Sequence, residues 1–187
     1  MPMITTNDLK NGMTLNLDEG LFNIVEFQHV KPGKGGAFVR TTLKNARTGQ
    51  VVDRTFRAGE KVDRATLNKR EMQFLYREAD DYVFMDNTSY EQLNVGPDAL
   101  RAAADYLVEA MSAVLVMFED EILDVELPAS VELTVAETEP GVQGDRVSGA
   151  RKPARLETGK LIQVPLFVET GDRVKVDTRS GDYLTRA

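Results

Sequence analysis

The sequence predicts an all-β protein made of three small β-barrels. Short runs rich in Val, Ile, Leu, Phe and Thr recur about every ten residues, and Gly, Pro, Asn or Asp separate them. This spacing is typical of small antiparallel barrels. A chain of 187 residues with 42% hydrophobic residues can supply the cores of one large domain or of two or three small ones.

Ten segments carry the strand pattern: 13–17, 21–30, 37–44, 51–56, 72–76, 82–85, 131–135, 161–168, 173–177 and 183–186. One segment, GPDALRAAADYLVEAM, departs from it. Pro97 suits a first helical position and Asp98 suits a helix N-terminus, so we expect a helix over about 97–107. The following SAVLVMFEDEILDVEL is rich in β-branched residues and contains an acidic turn, which favours two strands of a hairpin.

Charge changes sign along the chain. The net charge of −7 divides into nine bases against seven acids in 1–63 (+2), five against fourteen in 64–127 (−9), and nine against nine in 128–187 (0). The domain boundaries are placed at the charge shift near Arg64 and at Pro128, which gives domains 1–63, 64–127 and 128–187.

The amino-acid composition limits the kinds of catalytic or metal site that the chain can form. The chain has no cysteine and one histidine, His29, so thiolate and imidazole metal clusters are excluded and His29 is expected to be structural. The carboxylates of Asp80, Asp81 and 119–121 are expected to lie in turns that are exposed to solvent. No cofactor or metal is expected. The N-terminus carries no leader pattern and the longest apolar run is short, which predicts a soluble cytoplasmic protein with no membrane contact.

The segment KPGKGGAF concentrates lysines and glycines between two predicted strands. We expect 31–36 to be a hairpin loop in which Pro32 fixes φ and Lys34 lies at the tip. The glycines can take positive φ or let a partner approach closely. The flanking segment 29–57 holds seven bases and one acid; its bases outside the loop are Arg40, Lys44, Arg47, Arg54 and Arg57.

Two interpretations of this loop are open from its residues. A lysine on a rigid hairpin can reach into a polyanionic crevice, where its amine is also exposed to a modifying enzyme. Alternatively, the lysines of a generic glycine-rich hairpin only keep an exposed edge soluble. A nucleotide P-loop is excluded because Gln28 replaces its first glycine, Gly35 follows the lysine and a strand follows the loop.

Two longer motifs, FQHVKPGKGGAFVRTTLKN and KPARLETGKLIQVPLFVETGDRVKVDTRSGDYLTR, resemble the bacterial elongation factor P family. The resemblance covers essentially the whole chain. It implies an SH3-like, KOW-type barrel at 1–63 and two OB-folds at 64–127 and 128–187, in an L-shaped arrangement that resembles a tRNA. It further implies a monomeric translation factor, not an enzyme, that binds the ribosome between the peptidyl and exit sites. There the factor relieves stalling at consecutive prolines.

The same resemblance assigns roles to individual residues. Lys34 matches the tip residue that points to the 3′ end of the peptidyl-tRNA and that an enzyme modifies in many members. The residues of the loop that holds it are Lys31, Pro32, Gly33, Gly35 and Gly36. In the third domain, Gly144 and Asp145 are implied to lie near the exit-site codon of the mRNA. Tyr183 and Arg186 are implied to approach the small subunit.

The acidic charge of 64–127 adds one expectation. This segment should face away from the tRNA backbone or toward basic ribosomal protein, because its carboxylates repel RNA phosphates. Two alternatives stay open beside the elongation factor. One is a paralogous factor with a different tip loop, and the other is a generic KOW/OB-fold RNA-binding protein that needs a basic surface but not Lys34.

Overall fold

The computed structural model describes residues 2–141 and 149–187, and within these residues the strands form three sheets. The first sheet has the strand order β1-β6-β2-β3-β4-β5. Every strand pair resolved in it is antiparallel. Its strands are β1 (Met3–Thr5), β2 (Thr14–Leu17), β3 (Gly20–Val30), β4 (Phe38–Asn45), β5 (Val51–Arg57) and β6 (Lys61–Ala65).

The second sheet has the order β11-β10-β7-β8-β9, with β9 at one edge. Its strands are β7 (Asn68–Glu78), β8 (Asp81–Asp86), β9 (Gln92–Val95), β10 (Ser112–Phe118) and β11 (Glu121–Glu126). The expected hairpin in the 112–126 region is therefore present as β10 and β11. The third sheet has the order β14-β13-β12-β15-β16. Its strands are β12 (Ser130–Thr138), β13 (Arg151–Leu156), β14 (Leu161–Pro165), β15 (Arg173–Asp177) and β16 (Tyr183–Arg186).

The helix predicted over 97–107 is shorter than expected. The α-helix α1 spans only Pro97–Leu100, and a 3-10 helix follows at Arg101–Asp105. Arg101 has φ +50° and ψ −130°, outside the helical region, so the α-helical hydrogen bonding ends there. Pro97 occupies the start of the helix, as the sequence indicated. No helix in 2–141 or 149–187 is long and apolar enough to cross a membrane.

The chain divides into two compact units. The first consists of Met1–Arg70 and Leu115–Asp124, and the second of Glu71–Val114 and Val125–Ala187. Leu15, Val39 and Leu43 lie fully buried in the main core of the first unit. A smaller cluster in the same unit contains Leu21, Ala46, Ala65 and Leu123. One core cluster of the second unit contains these buried residues: Tyr106, Val131, Leu133, Val135, Ala154, Leu156, Ile162, Val164, Val168, Val174 and Val176.

The all-β prediction is confirmed, and its physical basis is visible in the burial pattern. Residues of β15 alternate between exposed and buried as Arg173, Val174, Lys175 and Val176, which is the period of two that a half-buried strand requires. Similar alternation in β14 turns Ile162 and Val164 inward. These strands of the third sheet thus bury one face, whereas β10 of the second sheet buries the consecutive residues Leu115, Val116 and Met117 and so packs on both faces.

Candidate nucleic-acid interface

A long hairpin of the first unit carries the lysine-rich loop. The eleven-residue strand β3 and the eight-residue strand β4 pair antiparallel as far as Val30 and Phe38, which face each other next to the loop. The register shifts between Ile24 and Glu26. Ile24 is buried, whereas the residues of β3 that follow it are exposed or half-buried. On β4, however, Thr41 and Val39 stay buried opposite Phe27 and His29, so the hairpin belongs to the core almost to its end and only the loop projects beyond it.

The loop itself stands clear of the rest of the described chain. Residues 31–36, hereafter the tip loop, are all exposed. An added Cβ at Gly33, Gly35 or Gly36 would meet no heavy atom within 4 Å beyond its neighbours along the chain. Of the three glycines, only Gly35 has a left-handed backbone, with φ +100°. The expected need for positive φ is thus met at one position, and the other two glycines keep the loop thin.

Lys34 is the exposed cation of this tip. Among residues 2–141 and 149–187, its ammonium has no hydrogen bond and no ion pair. The hairpin below it is ordered by packing: the rings of Phe27 and His29 meet edge to face at 5.6 Å, on the same side of β3. His29 therefore takes part in a ring contact near the base of the loop.

Three of the five predicted basic residues lie on one face of the sheet. Val39, Thr41 and Leu43 of β4 are buried, so the alternate residues of that strand point to the opposite side, which we call the outer face. Arg40 and Lys44 lie there on β4, and Arg57 lies there on β5 because it pairs with Phe38. The guanidinium of Arg40 lies 5.8 Å from the centre of the Phe38 ring. The outer face also carries two carboxylates, those of Glu26 and Asp53.

Arg54 points to the other side of the same strand. It pairs with the buried Thr41, and its guanidinium lies 4.9 Å from the centre of the Phe56 ring. It also bonds the Glu19 carboxylate at 2.8 Å. A backbone N–H bond, and then the bond from Arg54, lower the pKa of Glu19. Arg54 is therefore not brought together with the outer-face cations.

Arg47 is likewise held by a carboxylate. Its Nε and Nη2 donate to the two oxygens of Glu121, each at 2.8 Å, in a bidentate pair. This bond lowers the pKa of Glu121 and raises the pKa of Arg47. The sequence pattern predicted Glu121 only as part of an acidic turn. Its partner is 74 positions away in the chain, so no local signal pointed to the pair.

Of the predicted C-terminal site residues, only some lie within the described part of the chain. Gly144 and Asp145 lie outside the described residues. Tyr183 is half-buried against the core of the third sheet, whereas Arg186 is exposed and its guanidinium lies 5.7 Å from the centre of the Phe167 ring. Phe167, 57% exposed, was not predicted as a site residue, although it lies in the VPLFV motif.

The acidic turns form no metal site in the part of the chain that the structure describes. No group of three or more His, Cys, Asp or Glu side chains there could hold a metal ion. The Asp80 carboxylate lies 3.6 Å from Arg77, and Glu121 is bonded to Arg47. These carboxylates are therefore partners of arginines.

Comparison with known proteins decides the family. Three family models match the chain: the elongation factor P KOW-like domain at 5–62, the elongation factor P OB domain at 67–125, and the elongation factor P C-terminal domain at 131–186. The elongation factor P of Parafrankia sp. (strain EAN1pec) is 64% identical over 184 residues, 98% of each chain. That of Acidothermus cellulolyticus is 63% identical over 185 residues, 99% of each chain. This chain belongs to the elongation factor P family.

A solved structure supports the fold of this elongation factor P family member. The eukaryotic translation initiation factor 5A from Methanococcus jannaschii is 22% identical, with a TM-score of 0.53 over 68% of this chain and 92% of that chain. The resemblance inferred from the two sequence motifs is confirmed. Family membership makes the protein a translation elongation factor with KOW and OB domains.

Proposed function

We propose that this elongation factor P family member binds the ribosome between the peptidyl and exit sites and relieves stalling at consecutive prolines. In this proposal Lys34 orders the acceptor end of the peptidyl-tRNA. The observation that carries it is the exposure of Lys34 on a tip loop with no other part of the described chain around its glycines. A thin loop with one terminal ammonium can enter an RNA crevice that excludes a whole barrel.

The chemistry requires positioning and no bond-making by the factor. Proline restricts the backbone, so the reacting ends of a proline-containing peptide are poorly aligned. Ordering the tRNA end lowers the entropic part of the barrier, and positioning of this kind is worth several kcal/mol. The ribosome supplies the reaction itself. A cation among phosphates adds electrostatic ordering at the same place.

Other surfaces supply affinity in this proposal. Arg40, Lys44 and Arg57 lie together on the outer face, where cations contact phosphates without reading sequence. Tyr183 and Arg186 approach the small subunit, while Gly144 and Asp145 serve the exit-site codon of the mRNA. The factor acts as a cytoplasmic monomer without a cofactor or a membrane. The three domains are 1–63, 64–127 and 128–187.

Proline-run translation on purified ribosomes tests the role of Lys34. Lys34→Ala should lower the rate at the proline run by about tenfold or more, because the positioning contribution is lost. Lys31→Ala is the matched control, since it removes an equal charge from the same exposed loop. Its effect should be less than about twofold. Equal rescue by Lys34→Ala and the parent protein would refute the role of the tip lysine.

Modification of Lys34 is tested by the intact mass of the protein purified from its own host. We propose that the ammonium receives a covalent group from a lysine-modifying enzyme. A mass excess should therefore be present in the native protein and absent from Lys34→Ala. An excess that persists in the variant would place the modification on another residue, and a native mass equal to that of the bare chain would show an unmodified lysine.

A further inference from the structure

The C-terminal strand β16 lies at an edge of the third sheet. The strand order β14-β13-β12-β15-β16 places β14 at one edge and β16 at the other. Strand β16 carries Tyr183 and Arg186 and pairs with β15, but that pairing has a register shift between Lys175 and Val176. Since an edge strand is hydrogen-bonded into its sheet on one side, side-chain packing must fix its position on the other.

A residue from outside the third sheet contacts the start of both edge strands. Tyr106 lies in the connection between β9 and β10, yet it is 3% exposed and belongs to the core cluster of the third sheet. Its ring centre is 5.5 Å from the ammonium of Lys160, the residue before β14. Its hydroxyl lies against Gly181, two residues before β16, where an added Cβ would be 3.1 Å from the hydroxyl oxygen.

Polar contacts hold the backbone beside this ring. The Thr158 hydroxyl donates to the Asp105 carbonyl at 2.6 Å, and the Lys160 ammonium lies 3.6 Å from the Asp105 carboxylate. Thr158 and Lys160 belong to the turn between β13 and β14. Asp105 and Tyr106 are therefore bonded to one hairpin of the third sheet and packed against the next. Because the ring is also buried in a close-packed core, it has few alternative positions.

We propose that Tyr106 is a positioning residue for the C-terminal strand, whose start it fixes against the rest of the third sheet. Tyr183 packs on the same core cluster as the Tyr106 ring, and the exposed Arg186 lies at the far end of the strand. Loss of the ring therefore frees the strand that bears both residues. The functional meaning of this contact rests on the proposed function, in which Tyr183 and Arg186 approach the small subunit. The position of β16 does not depend on that function.

Two matched glycines test the contact at the Tyr106 hydroxyl. Gly181 and Gly49 are each the fifth residue of a hairpin turn, 177–182 and 45–50, with φ values of +80° and +77°. In both turns the side chain of the first residue accepts the N–H groups of the third and fourth residues. An added Cβ at Gly49 would come no closer than 4.0 Å to a heavy atom beyond its chain neighbours. Both glycine-to-alanine variants thus incur similar backbone strain, and Gly181→Ala also presses on the Tyr106 hydroxyl.

Gly181→Ala should therefore lower the melting temperature by at least about twice as much as Gly49→Ala. In Tyr106→Phe, which lacks the hydroxyl, this excess should fall to about half or less. The Lys160 Cε also lies 3.2 Å from the added Cβ, but it ends a flexible side chain that can move aside. Equal effects of the two glycine variants, or an excess that is unchanged in Tyr106→Phe, would overturn the contact.

Hydrogen exchange of the full-length, isotope-labelled protein, followed by NMR, tests the position of β16. Tyr106→Leu removes the ring and should speed exchange of the 183–187 amides by about tenfold relative to the amides of β12 and β13. Tyr106→Phe keeps the ring and should keep the exchange rates of the parent protein. Val135→Ala is the matched control, because it shortens a buried side chain of the same cluster on β12 and should not single out β16. Equal acceleration of all these strands in Tyr106→Leu would refute the positioning role.

Ribosome affinity separates this inference from the proposed function. Arg186→Ala and Tyr106→Leu should each weaken ribosome binding by about twofold to fivefold. The double variant should bind little more weakly than the weaker single variant, because both changes act through the same strand. Losses that multiply would refute positioning of Arg186 by Tyr106. Unchanged affinity in Arg186→Ala would instead refute the proposed small-subunit contact, and the exchange rates alone would then decide whether Tyr106 fixes β16.

Discussion

Cations of the first unit occur in two settings, the exposed tip loop and the β-barrel from which that loop projects. Lys34 stands on a loop whose glycines touch nothing else, and no carboxylate among the described residues holds it. Arg47 and Arg54, by contrast, are bonded to Glu121 and Glu19, each at 2.8 Å. The same run of sequence thus contains cations that are available to a partner and cations that stabilise the barrel. Charge counts alone do not distinguish them.

The β-barrel that carries Arg47 and Arg54 is stabilised by core packing. Removing a core side chain should therefore have the largest effect on stability. Phe56 is 2% exposed and lies under the Arg54 guanidinium. Phe56→Ala should lower the free energy of unfolding by about 3–5 kcal/mol, because it leaves a cavity in the core. Denaturant unfolding measures this. A decrease of under about 1 kcal/mol in the free energy of unfolding would show that the Phe56 side chain does not stabilise the barrel.

The tip depends on backbone conformation at one glycine. Gly35→Ala should destabilise the protein by about 1 kcal/mol because its φ of +100° disfavours a side chain. Gly33→Ala is the matched control, since it adds the same methyl group to open space without a positive φ. It should be close to neutral. Equal losses in the two variants, measured by thermal unfolding, would contradict the positive φ of Gly35 as the cause of the destabilisation.

Ribosome affinity should distinguish the outer face from the opposite side of the sheet. Arg40→Ala should weaken binding by about twofold to fivefold and reduce its salt dependence, because it removes one phosphate contact. Arg54→Ala should change affinity by less than about twofold, because its guanidinium is bonded to Glu19. Binding isotherms at several salt concentrations measure both variants. A larger loss of ribosome affinity in Arg54→Ala than in Arg40→Ala would show that the side of the sheet that carries Arg54, and not the outer face, contacts the ribosome.

The smallest expected effect concerns the Arg47–Glu121 pair. The pKa of Glu121 is lowered in the folded state, so its contribution is present at neutral pH and is lost as pH falls through the folded pKa. The two side chains are 43% and 46% exposed, and solvent screening limits the contribution to about 0.5 kcal/mol.

Glu121→Gln should therefore lower stability slightly at neutral pH, and the difference from the parent protein should disappear in acid. Chemical denaturation between neutral pH and about pH 3 follows the difference, starting well above the ordinary glutamate pKa. A difference that grows as the pH falls would contradict the sign of the shift.

Many of the strands could be predicted because apolar and polar residues alternate along them. The segments 21–30 and 173–177, for example, coincide closely with β3 and β15. Strand β13 was missed because RKPARL contains three bases and a proline. The structure nevertheless buries Lys152, Ala154 and Leu156 in alternation, and the Lys152 ammonium bonds the Glu139 carbonyl. Tertiary packing here outweighs local composition.

The site was predictable where it depends on a single loop. Pro32 and the adjacent glycines indicated the hairpin and the position of Lys34 without any distant contact. The partners of Arg47 and Arg54 were not predictable, because Glu121 and Glu19 lie 74 and 35 positions away.

The burial of Val39 has a mechanical consequence for the ammonium at the end of the hairpin. Val39 is fully buried in the core and pairs with His29, so the hairpin is fixed almost to the point where the loop begins. Only the tip loop, residues 31–36, extends beyond this anchor. Because the freely moving segment is short, little conformational entropy is lost when the ammonium becomes ordered on its target.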